Sequence, residues 1–198
     1  MVPTVTRLSS ITFNMLDGEE KLIKNAVGGD SSAFGALYDH YQPMIYRFVL
    51  VKVGRREEAE DLTHQVFLSA WQNIKRYKNL GHPFSSWLYQ IARNQVVDYY
   101  RSNKKDISLD DGDPESFISL IATEQMDISV KLAMEKVYAA IKKLSPDHAD
   151  VVMLRFVEDV SLRDTAKALK KTEGAIKLMQ HRAIKELRKM LGDTISKI

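Results

Sequence analysis

The sequence predicts an all-α protein: two small helical domains joined by a flexible acidic linker, the second ending in a helix-turn-helix. Three observations predict this. Apolar residues recur at i, i+3 and i+4 steps through most of the chain. Capping residues, glycines and prolines punctuate those steps at helix-length intervals. Between residues 103 and 127 the periodicity weakens and acidic residues accumulate.

Residues 1–16 lack an apolar period and read as a disordered tail, with Met15 a second candidate start. The first domain is expected over 17–102. Asp17 and Glu20 stand at capping-box spacing before GEEKLIKNAV, and Gly28-Gly29-Asp30 stops that helix. A long segment from Ser31 places Phe34, Leu37, Tyr38, Tyr41, Ile45, Phe48 and Val49 on one side, with a kink expected at Pro43. After a turn at 54–56, REEAEDLTHQVFLSAWQNI opens with acids suited to the positive end of a helix dipole. It turns Leu62, Val66, Phe67, Ala70 and Trp71 inward. A basic loop, RYKNLGHPF, precedes SSWLYQIARNQVVDYYRSNKK, a helix with Trp87, Leu88, Ile91 and Val96 on its apolar side and Tyr89, Arg93, Asn94, Tyr100 and Arg101 on the other.

Residues 103–127, interrupted by Gly112 and Pro114, read as the linker. As coil it has a mean reach of roughly 25 to 30 Å and an extended span of about 80 Å. Its acids Asp106, Asp110, Asp111, Asp113 and Glu115 are suited to repel DNA or to cover a basic face. The second domain is expected over 128–198. SVKLAMEKVYAAIKKL forms its first helix, Ser145-Pro146 an N-cap with proline at the first helical position. VVMLRFV has the composition of a strand, but its Ser-Pro-Asp start favours a helix.

Ser161 and Asp164 then stand at capping-box spacing, and Leu162, Ala166 and Leu169 share one side. A polar break leads to Thr172, the N-cap of a basic helix that buries Ile176, Met179, Ala183 and Leu187. Two short helices so joined can place the second in the major groove, its outer face open to phosphates and base edges.

Composition bounds the function. A net charge of +3 is too small to argue for nucleic acid by itself, so the distribution of charge carries that argument. With no cysteine there is no disulfide framework, zinc-thiolate site or thiol nucleophile, which fits a reducing compartment. No segment reads as a signal peptide or bilayer span, so the expected location is cytoplasmic. The five histidines, His40, His64, His82, His148 and His181, lack ligand spacing, and phosphate-cradling and nucleophile motifs are absent. No catalytic residue, metal site or cofactor is expected.

The ordered set of motifs resembles the extracytoplasmic-function sigma factors, promoter-recognition subunits of bacterial RNA polymerase. The resemblance runs from about Glu19 to Lys189. It is carried by AFGALYDHYQPMIYRF, EEAEDLTHQVFLSAWQNI, PFSSWLYQIARNQVVDYYR, LSPDHADVVMLRFVEDVSLRDTAKAL and EGAIKLMQHRAIKELRK. It implies a first unit that docks on core polymerase and reads the minus-10 element, and a second that reads the minus-35 element. Asp61, Gln65 and Phe67 match the core-docking positions, although Phe67 fits the core of the domain equally well. Asn94 matches a position that helps hold an unstacked minus-10 base, with Arg93 and Arg101 placed for the phosphate backbone and Tyr89, Tyr77, His82 and Phe84 as candidates to stack on bases. Thr172, Gly174, Lys177, Leu178, His181 and Arg182 match positions facing the minus-35 duplex. Lys170 stands where many members have glycine, and strains the turn if it must adopt positive φ. Core polymerase and promoter DNA are the implied partners, with an anti-sigma factor a further one. The alternative from the residues alone is an autonomous helix-turn-helix regulator.

Overall fold

A computed structural model describes residues 16, 18–78, 81–102, 114–121 and 127–192; among these there is no strand. The first four helices are α1 (Glu19–Val27), α2 (Ser31–Val53), α3 (Arg56–Asn73) and α4 (Phe84–Ser102). Helix α1 starts with Gly18 at its N-cap in the left-handed region; Asp17, expected to cap it, lies outside the described residues. Asp30 caps α2 by accepting from the N–H groups of Ser32 and Ala33 at 2.9 and 3.2 Å. The helix runs on through Pro43 and ends at Gly54, whose φ of 80° only glycine adopts without strain.

Helices α2, α3 and α4 pack around Leu37, Ile45, Phe48, Val66 and Leu88, all fully buried. At one end of this bundle Tyr41 donates to Glu19 at 2.8 Å. Burial and that carboxylate together push the Tyr41 pKa far above the ordinary phenol value. Aromatic rings cement α2 to its neighbours: Phe34 against Trp71 at 5.0 Å, Tyr38 edge-on to Phe67 at 4.7 Å, and Phe48 edge-on to Tyr89 at 5.3 Å.

The segment read as a flexible linker contains a helix, α5 (Pro114–Ile121), with proline at its first position. Its Phe117 stacks on Tyr138 with ring centroids 4.9 Å apart, so part of the linker is bound to the second unit. Of the acids expected to act in the linker, Glu115 is exposed and the four aspartates lie outside the described residues.

The second unit comprises α6 (Ile128–Lys142), α7 (Pro146–Val152), a five-residue π turn (Met153–Val157), α8 (Leu162–Ala168) and α9 (Glu173–Leu191). Val151, Met153, Leu154, Ala168, Ile176 and Ala183 form its centre. The VVMLRFV stretch is helical, as its Ser145-Pro146 start predicts, but it widens to the π form over its last five residues.

The two units do not stand apart. Helices α7 and α8 and the turn between them lie against α2 and α4, and the apposed surfaces meet through charge as well as apolar packing.

A candidate nucleic-acid interface on α4 and α9, and a candidate docking face on α3

Helix α9 is where local sequence and geometry agree most closely. Ser161 caps α8, its Oγ accepting from the Asp164 N–H at 3.1 Å while its hydroxyl donates to the Asp164 carboxylate at 2.5 Å. Thr172 caps α9 by accepting from the Ala175 N–H at 3.2 Å. Between the two helices Lys170 takes φ 53°, the strained conformation anticipated for a residue standing in place of glycine. The turn closes nonetheless, because the Lys171 N–H donates to Ala166 O at 2.9 Å and the Lys170 N–H to Lys167 O at 3.2 Å. Ile176, Ala183 and Leu187 are buried, which fixes the rotation of α9. Thr172, Gly174, Lys177, Leu178, His181 and Arg182 are consequently all exposed. Leu178 is 50% exposed, an apolar side chain among cations, suited to a thymine methyl rather than a hydrogen bond.

Helix α9 is tied to the unit beneath it. Arg155 of the π turn donates to Gln180 at 3.3 Å and to the carbonyl of Val160, and His148 of α7 lies 3.1 Å from Glu186.

Helix α3 presents a different surface. Asp61, Gln65 and Leu68 are exposed one turn apart, a polar strip with one apolar residue. Phe67 does not share it: only 2% exposed and packed edge-on against Tyr38, it belongs to the core. This corrects its assignment as a docking contact; helical rotation puts it about 100° away from Leu68.

On α4 the expectations divide. Asn94 and Arg101 are exposed, Arg101 with a loose 3.5 Å contact to Asp98. Tyr89 is fully buried against Phe48, so it is not open to a base, contrary to expectation. Burial, first, and the nearby Glu158 raise its pKa well above the ordinary phenol value. Phe84 is likewise core, at the centre of a cluster with Tyr41, Tyr77 and Trp87. Tyr77 and Trp87 are only partly buried and, with Arg76, Lys78, His82 and Lys167, border a basin of about 280 Å³.

Arg93, expected at a DNA backbone, is engaged within the chain. It donates to Asp147 at 2.6 Å and Asp150 at 3.0 Å, both on α7. Burial opposes its charge, but the two carboxylates outweigh that and raise its pKa. Asp147 is shared with Lys171 at 2.9 Å; although burial disfavours its charged form, the Lys171 and Arg93 partners hold its pKa below the usual carboxylate value. Asp150 also pairs with Lys52.

Sequence reasoning missed the pair beneath these. Arg47 of α2 donates two hydrogen bonds, at 2.8 and 2.7 Å, to Glu158, which follows the π turn. The two side chains are 7% and 1% exposed. Burial pushes the Glu158 pKa up further than Arg47 draws it down, while the Glu158 contact raises that of Arg47 against its own desolvation. The short, two-pronged geometry is that of a charged pair. With the partners 111 positions apart in the sequence, no local pattern could reveal it.

Sigma-70 region 2 matches residues 37–106 and sigma-70 region 4 matches residues 140–189. The chain is 34% identical over 173 residues to the ECF RNA polymerase sigma factor BldN of Streptomyces coelicolor, covering 87% of this chain and 66% of BldN. It is 31% identical over 182 residues to the ECF RNA polymerase sigma factor SigW of Bacillus subtilis, covering 88% of this chain and 97% of SigW. In fold it is similar to CnrH, solved in complex with the cytosolic domain of CnrY, with a TM-score of 0.67 at 20% identity over 88% of this chain and 97% of that one. With regions 2 and 4 present in order and a relative matched nearly end to end, the chain belongs to the ECF sigma factors of RNA polymerase.

Proposed function

We propose that the chain docks on core RNA polymerase through α3, holds unpaired minus-10 bases on α4, and reads the minus-35 duplex with α9. Residues 17–102 form the region 2 unit and 128–198 the region 4 unit. The observation that carries this reading is the outer face of α9: all six residues assigned to the duplex are exposed on a helix whose N-terminus Thr172 caps and whose opposite side is anchored in a core. Lys177 and Arg182 supply phosphate or guanine contacts, and the α9 N-terminus favours a phosphate.

On α4, Asn94 offers an amide to a base edge, and Arg93 and Arg101 offer cations to the backbone. On α3, Asp61 and Gln65 provide an acid and an amide for a basic helix of the polymerase, and exposed Leu68 takes the apolar place that Phe67 cannot. No catalytic step is assigned to this chain; RNA synthesis belongs to the polymerase, and the expected location is the cytoplasm. No described helix is long and apolar enough to cross a membrane. An anti-sigma factor is a further partner in this reading.

The test pairs the purified chain with core polymerase and promoter DNA. Asp61→Ala/Gln65→Ala weakens assembly with core while leaving helicity and melting temperature nearly unchanged, because exposed polar substitutions rarely move stability by more than about 0.5 kcal/mol. Assembly of that double variant as strong as wild type overturns the docking assignment. Tight, specific promoter binding by the free chain supports the autonomous-regulator alternative instead.

A further inference from the structure

We infer that Gly174 and Leu178 form a methyl-reading notch on the outer face of α9, which takes the C5-methyl group of a major-groove pyrimidine, thymine or 5-methylcytosine alike. The inference rests on the proposed assignment of α9 to duplex DNA and names the chemical group that this face selects. Leu178 is 50% exposed and has no part in seating the helix, a task carried by Ile176, Ala183 and Leu187. Its neighbours on the outer face, Lys177, His181 and Arg182, are all polar and exposed. A lone apolar side chain among donors cannot hydrogen-bond a base edge. The apolar group that a base pair presents in the major groove is the methyl at C5 of thymine, and 5-methylcytosine carries the same group at the same ring position.

Gly174 stands one turn before Leu178, about 40° from it around the helix axis, and a helical side chain leans toward the turn N-terminal to its own Cα. Leu178 therefore overhangs the Gly174 position. Nothing fills the recess so formed: a Cβ added at Gly174 would meet no atom within 4 Å. The fold itself does not call for glycine here. Gly174 is not among the glycines of positive φ, and alanine would favour the helix. A glycine that the fold does not need and the helix disfavours serves close approach from outside the chain. Thr172 sets the recess on an ordered first turn by accepting from the Ala175 N–H at 3.2 Å. Leu178 as the wall and the Gly174 backbone as the floor give a methyl group an apolar seat. Selection of this kind ignores whether C4 carries an oxygen or an amino group, so methylation turns a cytosine into a thymine-like partner at this one position.

The full chain assembled with core polymerase is used to select minus-35 duplexes from a random-sequence library. The selected duplex is remade with deoxyuridine at each thymidine in turn, which removes only a methyl group, and affinities are compared by competition. One position is expected to lose about fourfold, equivalent to about 0.8 kcal/mol for one buried carbon at about 1.4 kcal/mol per tenfold. At that position cytosine paired with guanine binds more weakly than thymine paired with adenine, and 5-methylcytosine binds about fourfold more tightly than cytosine by the same arithmetic. This arm separates the two sources of the methyl group. Leu178→Ala erases both differences. Gly174→Ala, which should melt no lower than wild type, erases them as well by filling the recess. Absence of a methyl-sensitive position in wild type, or sensitivity that survives either substitution, overturns the notch. Arg182→Ala distinguishes this failure from failure of the underlying assignment. If it weakens the selected duplex while the methyl effect is absent, α9 reads DNA by other means and the notch alone fails. If neither Arg182→Ala nor Leu178→Ala alters affinity, the assignment of α9 to the duplex fails and the notch with it.

Discussion

Lys170→Gly should stabilise the protein. Lys170 sits at φ 53° between α8 and α9, a conformation costing a residue with a Cβ about 1 to 2 kcal/mol. Glycine removes that cost but widens the unfolded ensemble, giving back about 0.5 to 1 kcal/mol. The turn's hydrogen bonds, from the N–H groups of Lys170 and Lys171 to Lys167 O and Ala166 O, use the backbone alone and survive the change. The side chain is exposed, so little packing is lost. The midpoints of these ranges differ by about 0.75 kcal/mol, a gain of roughly 1.5 to 3 °C for a chain of this size. Thermal melting by circular dichroism and urea midpoints at constant m measure it. Lys170→Val is the opposing control: a β-branched residue tolerates positive φ worst and should lower the midpoint. A glycine variant that melts at or below wild type would refute the reasoning, showing that the Lys170 side chain contributes more than its backbone costs.

Phe67→Ala should destabilise the region 2 unit by about 3 to 5 kcal/mol, since a large buried ring is lost beside Tyr38; a melting temperature within 2 °C of wild type would return Phe67 to the surface. Arg182→Ala should weaken duplex engagement by about 1 to 3 kcal/mol with relaxed specificity at one base pair if it contacts guanine; a uniform loss with a shallower salt slope assigns it to phosphate instead. Alkali should destabilise the region 2 unit. Burial above all raises the pKa values of Tyr41, Tyr77, Tyr89 and Tyr100, with Tyr77 pushed up to about 12. A raised value means that folding favours the neutral phenol, so stability is whole below pH of about 10 and falls above it by up to about 1.4 kcal/mol per pH unit per tyrosine. Tyrosinate absorbance rising before any loss of helicity would contradict this.

What the sequence disclosed depended on how far apart the interacting residues are. Ser161 and Thr172 act within three residues, so their caps were legible, as was the buried side of α9. The Lys170 strain was legible only through the resemblance, because many family members carry glycine at that place in the turn. Helix α5 left a signal, Pro114 followed by Glu115 and then the Phe117–Ile118 pair, which the surrounding acids outweighed. Phe67 and Tyr89 show a second limit. Periodicity sorts residues into faces but cannot decide how wide the buried arc is; Phe67 borders exposed Leu68, and Tyr89, on the side read as outward, has its ring against Phe48. Arg47 and Glu158 mark the third limit, since each reads as an ordinary polar residue of its own helix until the fold brings them together.

The π turn at Met153–Val157 has a consequence for how such a protein can change over time. Each residue added to an α-helix rotates everything beyond it by about 100°, and a π turn accommodates one extra residue inside a single widened coil. Glu158 is the first residue past that coil, so the phase in which it meets Arg47 is set by one residue's worth of length. Phe156, 53% exposed within the coil, has the environment expected of the residue bulged outward. Shortening the stretch by one residue would rotate Glu158 off α2 while leaving the α8–α9 turn, whose own caps fix it, intact. A single codon here separates a chain whose two halves are latched from one whose halves are merely tethered, with the DNA-reading helices unaltered in either.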